Sequence, residues 1–474
     1  MITKTPQFEV LTKDDCRAIY SASLEVLERT GVRMENEEVL ALLRDNEVCI
    51  KDDIAHIPPY LVKESLRYAP KKILIYSREG KLAMRLENAN FYFGTGSDCP
   101  NIIDSFTGKL RKQTLKDIGQ RALIADALSN IDFVMSSGSI SDEPAPLTDL
   151  YKFQEMVFNT TKPIIFTSQD KRDSQDIIDM ASIIAGGEDK LRENPFIIHY
   201  IELSPPLKHS GTALDKLLLC SEKQIPIIYV PRIVGGATAP ISLAGNIVLA
   251  LAEGLAGLVI SQLKNKGTPL ILGGLITVKN MRTKVFSQGA PEFHLLSAGL
   301  AQVCQFLGMP MFGTAGCTDS KALDEQAAIE ASLSIIIQSL SGANLIHDVG
   351  CMASGKVISF DMLVMSDEII GMSKRVTRGL MTDEESLCVD VIDKVGPGGN
   401  YLTEEHTLRH FKTEYWRPQL LDRSDYHTWI GKGSKALDQR VNEKVKSILK
   451  EYQPEPLSRE KADRILQLRD KRKI

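Results

Sequence analysis

The chain has 474 residues, 43% of them hydrophobic and 25% charged, with a net charge of -4. Such a chain can bury a large core, and its mixed, near-balanced charge argues against a dedicated nucleic-acid surface. The eight cysteines are scattered without a C-x-x-C pair, which argues against a zinc ribbon or a thioredoxin-type motif.

In chain order, "TKDDCRAIYSASLEVLERTGV" has apolar residues at helical spacing, Thr12 as an N-cap and Gly31 near its end. Residues 46–90 read as short strands and turns, and "KKILIYSREGKLAMRLE" as a hairpin turning at Glu79-Gly80. From Phe91, β-favouring runs alternate with helical segments. They are "FYFGTG", "FVMSSGSI", "PIIFTSQ", "FIIHYIEL", "PIIYVPRIVGG", "PLILGGLIT", "MFGTAG" and "NLIHDVG". Eight such units over about 260 residues predict an α/β fold, a (β/α)8 TIM barrel spanning 91–350. A doubly wound sheet is the alternative, but no G-x-G-x-x-G opens a helix after the first run. Before the barrel stand N-terminal helices and a small β segment, 1–90; after it a C-terminal helical region, 351–474. That region contains "SFDMLVMSDEIIGMSKRVTRGLM", a turn and helix in "VGPGGNYLTEEHT" with Thr403 as cap, and a charged amphipathic tail.

The N-terminus lacks a basic-then-apolar leader. The longest apolar run, "NIVLALAEGLAGLVI", carries Glu253 and is short for a membrane span. A cytoplasmic protein with reduced thiols and no membrane partner is expected.

In a barrel the C-terminal ends of the strands converge on the active-site face. Here they supply glycines and neutral hydroxyls, a roomy and mildly polar mouth. His199, His294 and His347, with Cys317 and Cys351, offer metal-ligand types, but no pair has i, i+4 spacing on one helix, so no metal is expected. Cys317 in "MFGTAGCTDSK" is either a thiolate nucleophile or a small cavity-lining residue. The glycine-rich ends could cradle a phosphate, though "RIVGGATAPIS" and "GTAGCTDSK" place no lysine for a phosphate grip except Lys321, beyond the turn. Aromatic residues on or beside the strands could instead form a cage for a quaternary ammonium, with about half of them expected in the core.

The segment from Ser287 to Gly350, "SQGAPEFHLL…GTAGCTDSKALDEQ…ANLIHDVG", resembles the trimethylamine methyltransferase superfamily. So do "FYFGTGSDCPNIIDSFTGKLRKQTLKDI" and "SDEIIGMSKRV", and the similarity runs from the N-terminal helix to about residue 430. The resemblance implies a barrel with added terminal segments, and methyl transfer from an amine to the Co(I) corrinoid of a small partner protein. Trimethylamine enzymes of this family carry pyrrolysine at a strand end in this motif. The matching position here is at or next to Cys317, and nothing there could do pyrrolysine's work. The chain therefore resembles the quaternary-amine branch, with glycine betaine or proline betaine as the first expected substrates. The alternatives are a thiol- or phosphate-using barrel enzyme, and a betaine-binding protein without catalysis.

On that reading Phe93, Tyr200, Tyr229 and Phe360 are the cage candidates. His347 is the catalytic candidate, contacting the substrate carboxylate or the corrinoid. Arg232 would pair with a betaine carboxylate. Asp98 and Glu202 would balance the ammonium. Gly235, Gly274 and Gly316, with Cys317, would leave space for the corrinoid. Self-association is left open.

Overall fold

The computed structural model describes residues 6–96, 99–136, 138–144 and 147–472. The eight runs form parallel strands: β1 (Tyr92–Thr95), β2 (Val134–Met135), β3 (Ile164–Phe166), β4 (Ile197–Leu203), β5 (Ile227–Gly235), β6 (Leu270–Gly273), β7 (Met311–Thr314) and β8 (Leu345–Val349). They pair in the order β1-β8-β7-β6-β5-β4-β3-β2. A parallel bridge between Gly94 and Phe133 joins β1 to β2 and closes the ring. Past Gly274 a second segment, Leu275–Lys279, continues beside the distal half of β5.

Each strand is followed by a helix: α1 (Leu115–Ala127), α2 (Thr148–Asn159), α3 (Lys171–Ala185), α4 (Gly211–Lys223), α5 (Leu243–Lys264), α6 (Pro291–Phe306), α7 (Glu325–Ser341) and α8 (Phe360–Thr377). Local chemistry starts several of them. The side chains of Asp170, Ser210, Asp324 and Ser359 accept from backbone N–H groups in the first turns of α3, α4, α7 and α8. Helix α5 is apolar and long enough to span a membrane, yet 78% of its most apolar window is buried in protein. It packs against β5, β6 and the N-terminal helices, as the core helix of this barrel.

Alternation along the strands sorts the apolar side chains into two clusters. Met135, Ile165, Ile198, Tyr200, Ile228, Val230, Ile271, Phe312 and Leu345 fill the barrel interior. The predicted hairpin, Ile73–Tyr76 with Leu82–Leu86, turns at Gly80 and adds Ile73, Ile75, Met84 and Leu86 to that cluster. It plugs the end of the barrel opposite the mouth. The second, larger cluster lies between strands and helices.

The N-terminal helix is Lys13–Glu25, capped by Thr12 as predicted, and it runs through a π turn to Gly31. Two local expectations need correction. Residues 46–90 contain a helix, Pro59–Tyr68, entered through the prolines at 58 and 59. In the C-terminal region Thr403 is not a cap, because the helix Glu405–Glu414 begins one residue later, from Glu404. Beyond α8, no residue from Arg378 to Arg440 is buried. The chain then returns to the barrel through the helices Leu437–Glu451 and Arg459–Lys471, anchored by Val441, Val445, Ile448 and Ile465.

Candidate active site

A cavity of about 260 Å³ opens at the C-terminal mouth of the barrel. Its walls come from both sides of the ring: Thr167 and Ser168 after β3, Tyr200 and Glu202 on β4, Arg232 on β5, Asp348 on β8. Lys216 of α4 and Gln288, just before α6, complete its polar lining. Another cavity, about 390 Å³, lies at the opposite end beside Lys71, Glu87 and Asn344. No strand C-terminus reaches it, so its greater volume does not make it the site.

At the mouth three rings meet. Tyr200 and Phe312 have centroids 5.6 Å apart, and Phe312 and His347 are 4.3 Å apart. His347 Nδ1 donates to the Gly313 carbonyl at 2.8 Å, which fixes the tautomer and the ring plane. The Tyr200 hydroxyl donates to Glu202 at 3.0 Å. Burial and the neighbouring Glu202 carboxylate push the Tyr200 phenol well above its ordinary pKa. Glu202 in turn lies 3.8 Å from Arg232, whose guanidinium sits over the ring of Phe286 at 5.4 Å.

Asp348 follows His347, and strict alternation would turn it outward. Instead its backbone is left-handed, φ 72°, where the β8–β1 register shifts between Ile346 and Val349. Both neighbours therefore reach the inside of the mouth. Asp348 accepts from Gln288 at 3.2 Å and lies 3.6 Å from His347 Nε2. Gly96 makes this position available: a Cβ there would stand 2.3 Å from the Asp348 carboxylate. Gln288 is held by Asp319, which accepts from its backbone N–H at 2.9 Å and from Ser354 at 2.8 Å. Asp319 donates its own N–H to Glu330 at 2.7 Å. The "TDS" of the motif thus braces the mouth without lining it.

The structure separates the sequence candidates by strand parity. Tyr200, Glu202, Arg232 and His347 lie inside the mouth, whereas Phe93, Tyr229 and Phe360 do not. Phe93 is wholly buried in the strand–helix layer, edge-on to Phe91. Tyr229 points outward against Gly257 of α5, its hydroxyl 2.9 Å from His209. Phe360 opens α8 and packs in the same outer cluster. These three are core residues, so the expected four-membered cage reduces to Tyr200, with Phe312 and His347 beneath it. Asp98 lies outside the described residues.

The residues expected to face the corrinoid are also interior. A Cβ on Gly235 would meet Asn246, and one on Gly274 would meet Leu300 and Ala250 on the outer side. Gly316, φ +71°, is pressed against Val349. Cys317 is wholly buried, and burial raises its thiol well above the ordinary range, so it stays protonated. The three barrel histidines do not converge either. His199 stacks outside the ring on Phe166 at 4.4 Å, and His294 belongs to α6. Among the described residues no group of three or more His, Cys, Asp or Glu is arranged to hold a metal ion.

With this geometry in view, the sequence matches the family described as trimethylamine methyltransferase (MTTB) over residues 1–474. The chain belongs to the trimethylamine methyltransferase family. It is 32% identical to the trimethylamine methyltransferase of Desulfitobacterium hafniense strain DSM 10664 / DCB-2, covering 94% of this chain and 90% of that protein. It is 31% identical to the glycine betaine methyltransferase of Desulfitobacterium hafniense strain Y51, covering 96% and 95%. The crystal structure of the hydroxylamine complex of MtmB, a monomethylamine methyltransferase, shares the fold with a TM-score of 0.55 at 12% identity, covering 94% of this chain and 88% of that one. The protein is a methyltransferase of this family with a barrel fold.

For a trimethylamine methyltransferase family member, the mouth holds several groups that strand patterning does not single out. Phe312 is one aromatic among several on the strands. Alternation gives the inward face to His347 and so points its neighbour Asp348 outward. Lys216 and Gln288 lie outside the strand ends, where strand periodicity carries no signal. The motif "LIHDVG" does offer one clue, since Asp adopts the left-handed backbone region more readily than most residues.

Proposed function

We propose that this protein moves a methyl group from a quaternary amine, glycine betaine or proline betaine first, to a corrinoid held by a small partner protein. The observation that supports this most is the cavity itself. Tyr200 lines it together with two carboxylates, Glu202 and Asp348, in a space of about 260 Å³, suited to a small cation. The position matched to pyrrolysine offers only an enclosed, protonated Cys317.

Chemistry agrees with that pairing. Taking a methyl from a tertiary amine would expel an amide-like anion, whereas a quaternary ammonium leaves as a neutral tertiary amine. The reduced corrinoid supplies the nucleophile when bound. This chain's own residues then have three tasks: to hold the amine, to aim one methyl out of the mouth, and to exclude water. Tyr200 and Phe312 give a rigid apolar floor, and Glu202 and Asp348 match the ammonium charge. Too tight a grip on that charge would oppose the reaction, because the charge vanishes as the C–N bond breaks. One aromatic face and carboxylates already engaged by other groups meet this requirement better than a closed cage would. Glu202 already faces Arg232, and Asp348 accepts from Gln288. On the rim, exposed Ile241 after β5 and Met281 and Val285 after β6 offer an apolar edge for a docking partner.

The test is to mix the protein with cob(I)alamin and follow methylcobalamin by absorbance over a panel of methylated amines. Methylation is expected with a betaine and not with trimethylamine. No methylation from any quaternary amine would overturn the reading.

A further inference from the structure

Among the described residues the mouth holds two cations, and they are not equivalent. Arg232 has a carboxylate 3.8 Å away in Glu202 and an aromatic ring beneath it. Its charge is answered within the protein, and its side chain is 45% exposed. Lys216 projects from α4 into the same cavity. Its ammonium donates to the Ser168 carbonyl at 2.9 Å, and among the described residues it has no carboxylate within 4.0 Å.

The acids in its surroundings are engaged elsewhere. Asp149 pairs with Lys152 at 2.8 Å, Asp173 with Arg472 at 2.5 Å, and Asp170 caps α3. Lys216 is thus a partly buried charge, with one neutral acceptor, facing open space. Burial of this kind is costly unless an anion completes it.

Position adds the second half of the argument. Lys216 stands beside the ends of β3 and β4. Asp348 stands at the end of β8, and β4 and β8 lie across the ring from each other. On the β4 side Glu202 already faces Arg232, so the mouth presents an unanswered positive group, Lys216, on one wall and Asp348 on the opposite wall, with the Tyr200 ring on the floor between them. A molecule with an ammonium at one end and a carboxylate at the other matches that polarity.

We infer that Lys216 is the carboxylate anchor of the site, which selects zwitterionic quaternary amines over simple cations and sets the substrate's direction across the mouth. The inference rests on the quaternary-amine reading above and replaces Arg232 in the role the sequence suggested. Ser168 is the positioning residue behind it. The Ser168 hydroxyl is bonded to Ser174 at 2.7 Å and to His199 at 2.9 Å, so the carbonyl that orients the ammonium is itself held.

Calorimetry on the full-length protein tests the anchor without any methyl acceptor. The probes are glycine betaine, its methyl ester and tetramethylammonium. Wild type is expected to bind the free acid about 10- to 100-fold more tightly than the ester, the span of one charge-assisted hydrogen bond. Lys216→Met is expected to lose that preference, keeping tetramethylammonium binding within about twofold, and Lys216→Arg to recover part of it. In turnover, Lys216→Met should raise KM for the betaine far more than it lowers kcat. An ester bound as tightly as the acid by wild type overturns the anchor, whatever the variants do. So does Lys216→Met with undiminished preference for the acid, while Arg232→Met loses it. Wild type that binds none of the three probes fails the quaternary-amine reading, and the anchor falls with it.

Discussion

Tyr200 and Tyr229 are both buried tyrosines on adjacent barrel strands, and they do opposite work. The Tyr200 ring is floor to the mouth, while Tyr229 is cement between β5 and α5. Tyr200→Leu is therefore expected to weaken binding of a quaternary amine by up to about 30-fold, the value of one desolvated cation–π contact of about 2 kcal/mol. Tyr200→Phe keeps the ring and should stay within about threefold. Titration by calorimetry checks both variants, and equal losses in the two would assign the effect to the hydroxyl bonded to Glu202. The sequence showed the rings but not their directions. Alternation does say that Tyr229 and Arg232, three apart on one strand, cannot share a face. Placing Arg232 inside was in itself an argument for placing Tyr229 outside.

At the scale of elements, α5 and its strands are assembled by close approach. Gly257 of α5 faces the Tyr229 ring so closely that a Cβ would stand 2.1 Å from it. Tyr229→Ala should empty this layer and cost about 3–5 kcal/mol of stability, the range for truncating a large buried aromatic. The measurement is a urea unfolding curve. A cage role would show as lost amine affinity with little loss of stability, the reverse of what is expected here. Strand β8 is the element where regular reasoning stops. One left-handed residue at Asp348 places two consecutive side chains in the mouth, and Gly96 on the neighbouring strand end leaves the room. A period of two cannot register such an irregularity.

Across the whole molecule, Glu253 shows how the barrel holds its N-terminal addition. It interrupts the apolar α5, lies fully buried, and accepts from the Leu207 N–H at 2.8 Å. Leu207 leads directly into Lys208–His209, which pairs with the N-terminal strand Val32–Met34. Burial raises the Glu253 carboxyl from 4.5 to about 7. The folded chain thus keeps a proton that the unfolded chain releases, and it binds more protons between those two values. Stability from this group is present below about pH 4.5, falls as pH rises, and is lost above about 7, a change on the order of 3 kcal/mol. Glu253→Gln should flatten the profile of melting temperature between those values and match or exceed wild type at pH 8. Parallel profiles for the two proteins would locate the pH response elsewhere.

The amino-acid sequence by itself determined the number and order of the barrel units, the hairpin before the barrel and the family. Those depend on local periodicity, turn residues and long matching segments, all of which are written along the chain. Only the tertiary structure decided which aromatic faces inward, that Asp348 joins His347 in the mouth, and that Lys216 reaches the cavity from a helix. Strand alternation says which residues share a face, but ring closure chooses which face is the inside. A bulge, or a long side chain from the next element, then alters that choice locally. Cys317 illustrates both levels. Its place in the motif is plain, while its enclosure follows from the packing around it.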